Sequence, residues 1–449
     1  MIKENNLCFS DDKRVLISAD ENVKEIIIPK ECTEIAKGFK CAKDITRVIF
    51  EGDYCNIAPL CFINCKNLEE VVLPKHMCIF NLSCFMNTCI KDLTFSKEVG
   101  AIYENHKLIS LFQNAQIENV HITGEFPDIP IKAKKFFIEK ESSCVQIDDE
   151  IYEERDGRNV LVHVQPFKTK ISKNFEKADE IAPFAFFGCT LDELFVENQD
   201  LSEFAFAGLN IDYLSINNQT FYNSLFSGAT IKNLEINNSI ISRGVFFNSH
   251  IDAMQIFNCE DYELTDDYLK CGDELVYVFP SDSEHLTIPS DISFVHLHAF
   301  LNSNHKTVTF DTKQMLYLSK LCFSKNKFIE KVFINSNCYI DKDAFSNTPN
   351  LKDIYFKDNI YIDAEAFMDS SIEKLCLPGI FKCEHDTFNL SNVKKIYITK
   401  ESFEKMPPKE LGGIEVIVDD DLATRKIDKA VEGAKSFKEI NNLYNEFGR

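Results

Sequence analysis

Apolar residues return along this chain at a fixed interval. Phe186, Phe206, Phe226 and Phe246 stand 20 residues apart, and four further slots keep step with them. Ile181, Leu201, Phe221 and Ile241 precede each Phe by five residues, and Ala185, Ala205, Leu225 and Val245 precede it by one. Behind the Phe come Leu191, Ile211, Ile231 and Ile251, then Leu194, Leu214, Leu234 and Met254, then Val196, Ile216, Ile236 and Ile256. The closing L-x-I alternates with period two, as a strand with one buried face does. The A-F pair is bulky and irregular and suits the opposite wall of a coil. A unit this short cannot bury its own apolar face, so neighbours must stack. The pattern predicts a solenoid with one short parallel strand per unit and the Phe filling the space between coils.

Looser copies extend the array. Phe62 and Phe85 head units upstream, Phe300, Phe323, Phe345, Phe367 and Phe388 head units downstream, and Phe39 and Phe112 mark weaker ones. Three segments interrupt the rhythm: FSDDKRVLIS near residue 9, DDEIYEERDGRNVLVHV from Asp148, and CGDELVYVFP from Cys271. Each has two apolar runs around a charged or Asp-Gly turn, a hairpin signal. ENHKLISLF at 104–112 is a weaker fourth case. These breaks predict sub-arrays over 1–141, 142–270 and 271–418 of one continuous solenoid. From Asp421 onward Ile427, Val431, Ile440, Leu443, Tyr444 and Phe447 approach helical spacing, predicting a capping helix over 419–449.

IAPLCFINCKNLEEVVLP at 57–74 and IDKDAFSNTPNLKDIYF at 340–356 resemble the BspA-like leucine-rich repeat, also called the Treponema pallidum type. The likeness runs over roughly residues 9–400. It implies an α/β-type repeat solenoid, a right-handed leucine-rich-repeat coil with one short parallel strand per 20–23-residue unit. It also implies a protein that binds host or partner proteins, since members are mostly bacterial or protist and often surface-exposed. The repeat residues are structural in that family, and the repeat defines no catalytic residue.

Composition narrows the function. The 449 residues carry 49 Lys plus Arg against 71 Asp plus Glu, a net charge of -22. That balance opposes the phosphate neutralisation nucleic-acid binding needs and favours a protein partner with a basic surface. No apolar run follows the N-terminal charges and none approaches 18 residues, so neither a secretory signal nor a membrane span is expected. The expected location is the cytoplasm, with the cell surface, or secretion by a route without a signal, as the alternative.

Seventeen cysteines without any C-x-x-C predict free thiols. Cys61, Cys84 and Cys322 fill the Ala slot before the Phe, and Cys65 and Cys189 fill a small-residue slot three after it. Packing is the expected role. His285, His296, His298 and His305 gather without a ligand spacing that zinc requires, so they too are expected to be structural. G-x-x-x-x-G-K-[ST], G-x-S-x-G and H-E-x-x-H are absent. No catalytic residue, metal site or cofactor is assigned, and a non-enzymatic scaffold is expected. An enzyme subunit with a site in the irregular 98–180 region is the least favoured reading.

The strands carry the binding expectation. The middle residue of L-x-I points away from the core, and through the third sub-array it is Phe333, Tyr355, Cys376 and Tyr397. Lys331, Asp353, Lys374 and Lys395 lie two residues earlier on the same face. Exposed aromatics flanked by charge suit interface anchors. In the central array the slot holds Phe195, Ser215, Glu235 and Gln255 and reads as solvated.

Overall fold

The recurring phenylalanines are stacked wedges. In the computed structural model, which describes residues 1–39, 43–77, 83–95, 102–104, 107–109, 112–167, 169–379, 381–384, 386–405 and 413–419, two units are distinguished, Met1–Thr230 and Ile231–Arg449. In the first, ring centroids lie 5.0 Å apart for Phe62 and Phe85, 5.6 Å for Phe186 and Phe206, and 5.8 Å for Phe206 and Phe226. In the second, Phe300, Phe323, Phe345 and Phe367 follow one another at 4.0, 4.9 and 5.9 Å. All of these rings are fully buried. Each fills the gap between two coils, so its burial depends on both neighbours.

The turn around each Phe reverses the chain by the same backbone device. Residues two before and two after the Phe adopt positive φ: Phe184 and Gly188, Phe204 and Gly208, Ser224 and Gly228, Leu321 and Lys325, Asp343 and Asn347. Gly208 shows why its slot is restrictive. Its φ is +67°, and a Cβ there would lie 2.6 Å from the Phe187 ring. Neighbouring turns are hydrogen-bonded to one another, as in Phe184 N–H to Phe204 O at 3.0 Å and Gly208 N–H to Ser227 O at 3.0 Å. The cysteines of the small slots pack as expected: Cys61, Cys65, Cys84, Cys189 and Cys322 are buried. Burial pushes the Cys189 thiol up to about 12.

The Met1–Thr230 unit opens with three antiparallel strands, Ile2–Glu4 against Leu7–Phe9 and Leu7–Phe9 against Val15–Ala19. Six parallel strands follow: Glu25–Ile28, Arg47–Phe50, Leu68–Val72, Cys89–Phe95, Gln116–Ile122 and Ala133–Ile138. Within them Ile26, Val48, Val71, Leu93, Val120 and Phe136 point into the core. A second hairpin, Glu150–Arg155 with Arg158–Val164, turns at Asp156 and Gly157, both at positive φ. The short hairpin Ile102–Glu104 with Lys107–Ile109 lies at the weaker fourth break.

The Ile231–Arg449 unit has its own hairpin, Tyr268–Cys271 with Glu274–Val278. Beyond it the coils from His285 to Cys383 give two strands each. One set, His285–Ile288, Thr307–Phe310, Lys331–Ile334, Asp353–Phe356, Lys374–Leu377, Lys395–Ile398 and Glu415–Val418, forms a seven-stranded sheet. A shorter set, Phe294–Val295, Leu316–Leu318, Cys338–Ile340, Ile360–Ile362 and Phe381–Cys383, pairs in parallel in another sheet.

The expectation of one strand per unit is therefore corrected to two. The apolar residue five before each Phe is the inward end of the second strand, as at Leu318, Ile340 and Ile362. The α/β description also gives way. Among the described residues the helices are a 3-10 turn at Lys173–Lys177 and a short α-helix at Lys400–Lys405. Two extended segments and a tight Phe turn close each coil, leaving no stretch long enough for a helix. The capping helix expected over 419–449 falls, apart from its first residue, outside the described residues.

Candidate protein-recognition surface

Parallel, in-register pairing turns equivalent residues of successive coils into straight lines. On the face of the seven-stranded sheet opposite the core, one line runs through Thr287, Thr309, Phe333, Tyr355, Cys376, Tyr397 and Ile417. Two residues earlier along each strand, Lys331 is paired with Asp353, and Lys374 with Lys395 and in turn Glu415. The eight residues named from the sequence thus line up on this face.

Their exposure differs from the expectation. Phe333 is 2% exposed and Tyr355 9%, while Tyr397 is half-buried. The Phe333–Tyr355 pair contributes to this cover, with rings stacked at 4.7 Å and 16°. Strand spacing puts rings of adjacent coils in face-to-face contact, and each removes a face of the other from water. Phe333 and Tyr355 are thus supports, and Tyr397 and Ile417 are the more accessible apolar members. Lys374, Lys395 and Glu415 are exposed, whereas Lys331 and Asp353 are partly covered. Lys395 Nζ lies 2.9 Å from Glu415, and that hydrogen bond raises the Lys395 pKa.

A second aromatic line, on the short strands, escaped the sequence reading. Phe294, Tyr317, Tyr339 and Tyr361 stack at 5.1, 4.8 and 4.7 Å, with planes within 9° of parallel. Each tyrosine donates to a carboxylate of the following coil: Tyr317 to Asp341 at 2.9 Å, Tyr339 to Asp363 at 3.2 Å, and Tyr361 to Glu384. Burial, followed by the charge of Asp363, pushes the Tyr339 hydroxyl up to about 12. Asp341 and Asp363 also accept backbone N–H groups of their own turns, from Lys342 at 2.7 Å and Ala364 at 2.6 Å. The signal in the sequence was Y-I-D at 339–341 and again at 361–363.

The histidines go separate ways. His296 Nε2 meets Glu274 at 2.6 Å, His298 stacks on Phe247 at 4.7 Å, and His305 Nδ1 meets Ser303 Oγ at 2.9 Å. Among the described residues no group of His, Cys, Asp and Glu is arranged to hold a metal ion. In the 98–180 region Glu150 accepts from Tyr152 O–H at 2.8 Å and from Ser172 N–H and O–H at 2.6 Å each. Arg155 reaches Glu153 at 2.7 Å and Asp128 at 3.2 Å. His163 is enclosed between Phe126 and Phe136, and burial lowers its pKa to about 3. Glu150, Glu153, Asp128 and Arg155 are thus engaged with their neighbours, while His163 packs between rings.

Stacked coils with an LxxLxL strand and a wedged Phe define a leucine-rich-repeat β-solenoid. The BspA type leucine rich repeat region matches in six copies, over residues 18–118, 168–265, 277–373 and 339–408. The chain belongs to that family, a family of repeat scaffolds. Among solved structures it is similar to the pneumococcal vaccine antigen PcpA, at 13% identity and TM-score 0.40, covering 93% of this chain and 98% of that one. It is also similar to a leucine-rich cell surface protein of Faecalibacterium prausnitzii, at 13% identity and TM-score 0.29 over 94% and 96% of the two chains. A leucine-rich repeat protein of Bacteroides ovatus has 11% identity and TM-score 0.27 over 93% and 99%. No curated protein matches the chain. No helix among the described residues is long and apolar enough to cross a membrane.

Proposed function

We propose that this chain is a non-enzymatic scaffold that binds a protein through the seven-stranded sheet of its Ile231–Arg449 unit. The observation that supports this most is the in-register line from Phe333 to Ile417 with charged residues beside it. Phe333 and Tyr355 stiffen the line, Tyr397 gives the apolar anchor, and Lys331, Asp353, Lys374 and Lys395 orient the partner. The net charge of -22 favours a partner with a basic surface elsewhere in its footprint. The test is a photo-crosslinking residue at position 397 in the producing cells, with position 255 of the solvated slot as control. One discrete adduct at 397 and none at 255 is expected; equal, diffuse labelling at both would overturn the reading.

A second reading places the scaffold at the cell surface, in place of the cytoplasm expected from the sequence. The habit of the family supports it, and the Faecalibacterium prausnitzii protein is described as a cell surface protein. Protease treatment of intact cells decides: cleavage supports display, and protection until lysis contradicts it.

A further inference from the structure

The Met1–Thr230 unit carries a recognition feature of a different kind, independent of the aromatic line. In its six-stranded sheet the outward residue nearest each strand start forms the line Lys24, Thr46, Glu69, Lys91, Glu118 and Lys134. Beside it Cys89, Gln116 and Lys132 run two residues earlier. Both lines border an open groove of about 1280 Å³. Pro166 and Phe167 close one side, and Phe167 is 75% exposed.

The groove runs against the charge of the whole chain. Lys24, Lys66, Lys91, Lys132 and Lys134 line it, against Asp44, Glu69 and Glu118. Lys134 is paired with Glu118 at 2.8 Å, whereas the other four lysines form no ion pair among the described residues. Gly188 fixes one of them in place. Its missing side chain leaves room for the Lys132 stem, since a Cβ there would sit 3.2 Å from Lys132 Cγ.

We propose that this groove binds an extended, acidic polypeptide segment of another protein. Its length follows from the strand spacing: six rungs at roughly 4.8 Å span about 24 Å, or about seven extended residues. Lysines on the line stand two or three rungs apart, on the order of 10–14 Å, which matches carboxylates about every third or fourth residue. The glutamates between them repel a uniform polyanion such as a nucleic acid or sulfated glycan. The apolar lining from Ala115, Ala133 and Phe167 suits the side chains between the acids.

The probe is a fluorescein-labelled decapeptide with Asp at every third position and Ala and Leu between, titrated into the full chain and followed by anisotropy. Saturable binding is expected, weakened about tenfold or more by Lys91→Glu with Lys132→Glu and unchanged by Lys395→Glu. Phe167→Ser, at an exposed position, should also weaken it with the circular dichroism spectrum unaltered. No saturable binding, equal binding by the charge-reversed protein, or tighter binding of heparin or single-stranded DNA than of the peptide would overturn the proposal.

Discussion

The two units stack coils on the same phenylalanine wedge yet finish their outer faces differently. Between residues 180 and 217 of the first unit the coil repeats every 20 residues, and its second strand is two residues long, Glu180–Ile181 or Asp200–Leu201. In the second unit Phe323, Phe345 and Phe367 stand 22 apart, and the second strand has three residues with a tyrosine at its centre. The inward slots are nearly identical, so the core does not distinguish them. The longer coil makes room for an outward residue that stacks on its neighbours and hydrogen-bonds the next coil. Length alone does not decide it, since Phe39, Phe62 and Phe85 stand 23 apart with second strands of only two residues, Glu34–Ile35 and Tyr54–Cys55.

The comparison breaks most severely at the wedge. Phe206→Ala and Phe345→Ala should each lower stability by about 3–5 kcal/mol, read from denaturant midpoints. Equal losses in both units are expected, because both rings are fully enclosed between two others. A loss in one unit only would show that the cores differ after all. Gly208→Ala comes next, since it combines strained φ with a clash against Phe187 and should cost more than about 1 kcal/mol.

The tyrosine line gives a smaller and unit-specific effect. Tyr339→Phe removes one hydrogen bond from Asp363 and should cost about 1 kcal/mol. Its pH signature is sharper. The folded state raises the Tyr339 pKa, so the stability it adds is complete below the ordinary tyrosine value near 10 and is lost as pH rises toward about 12. Asp363→Asn should bring that ionisation down, seen in the ultraviolet titration of tyrosinate.

His163 gives the acid-side counterpart in the first unit. Burial depresses its pKa to about 3, so stability is full above the ordinary histidine value near 6.5 and falls as pH drops toward 3. His163→Phe should keep the ring stack and shift acid unfolding of that unit to lower pH. Smallest of all, Glu415→Gln breaks an exposed pair with Lys395 and should leave the denaturation midpoint unmoved.

These contrasts mark how far the sequence could be read. The wedge was legible because one bulky residue recurs at 20 or 22 positions with small neighbours. The second strand was not, because only one of its two or three residues points inward, and a single apolar slot has no period of its own. Half of the turn chemistry was equally hidden. Two after the Phe, Gly188, Gly208, Asn248 and Asn347 announce positive φ, but two before it stand Phe184, Phe204, Leu60 and Leu321, which turn preferences disfavour. Stacking between coils holds them there. The candidate surface was found by strand alternation, which assigns a side but not a degree of burial, so the cover over Phe333 and Tyr355 went unread. Lys24, Lys66, Lys91 and Lys132 are scattered through more than a hundred residues and meet only when coils stack.

The claim on which both proposed surfaces rest is the parallel, in-register line of outward residues. Thr287→Cys with Thr309→Cys puts two thiols on adjacent strands in direct register, at a spacing of roughly 4.8 Å between strands that a disulfide can bridge. Mild oxidation followed by peptide mapping should recover the 287–309 disulfide in high yield and none from Thr287→Cys with Lys331→Cys, two strands apart. Equal yields from the two pairs, or none from the first, would contradict the register and the surfaces built on it.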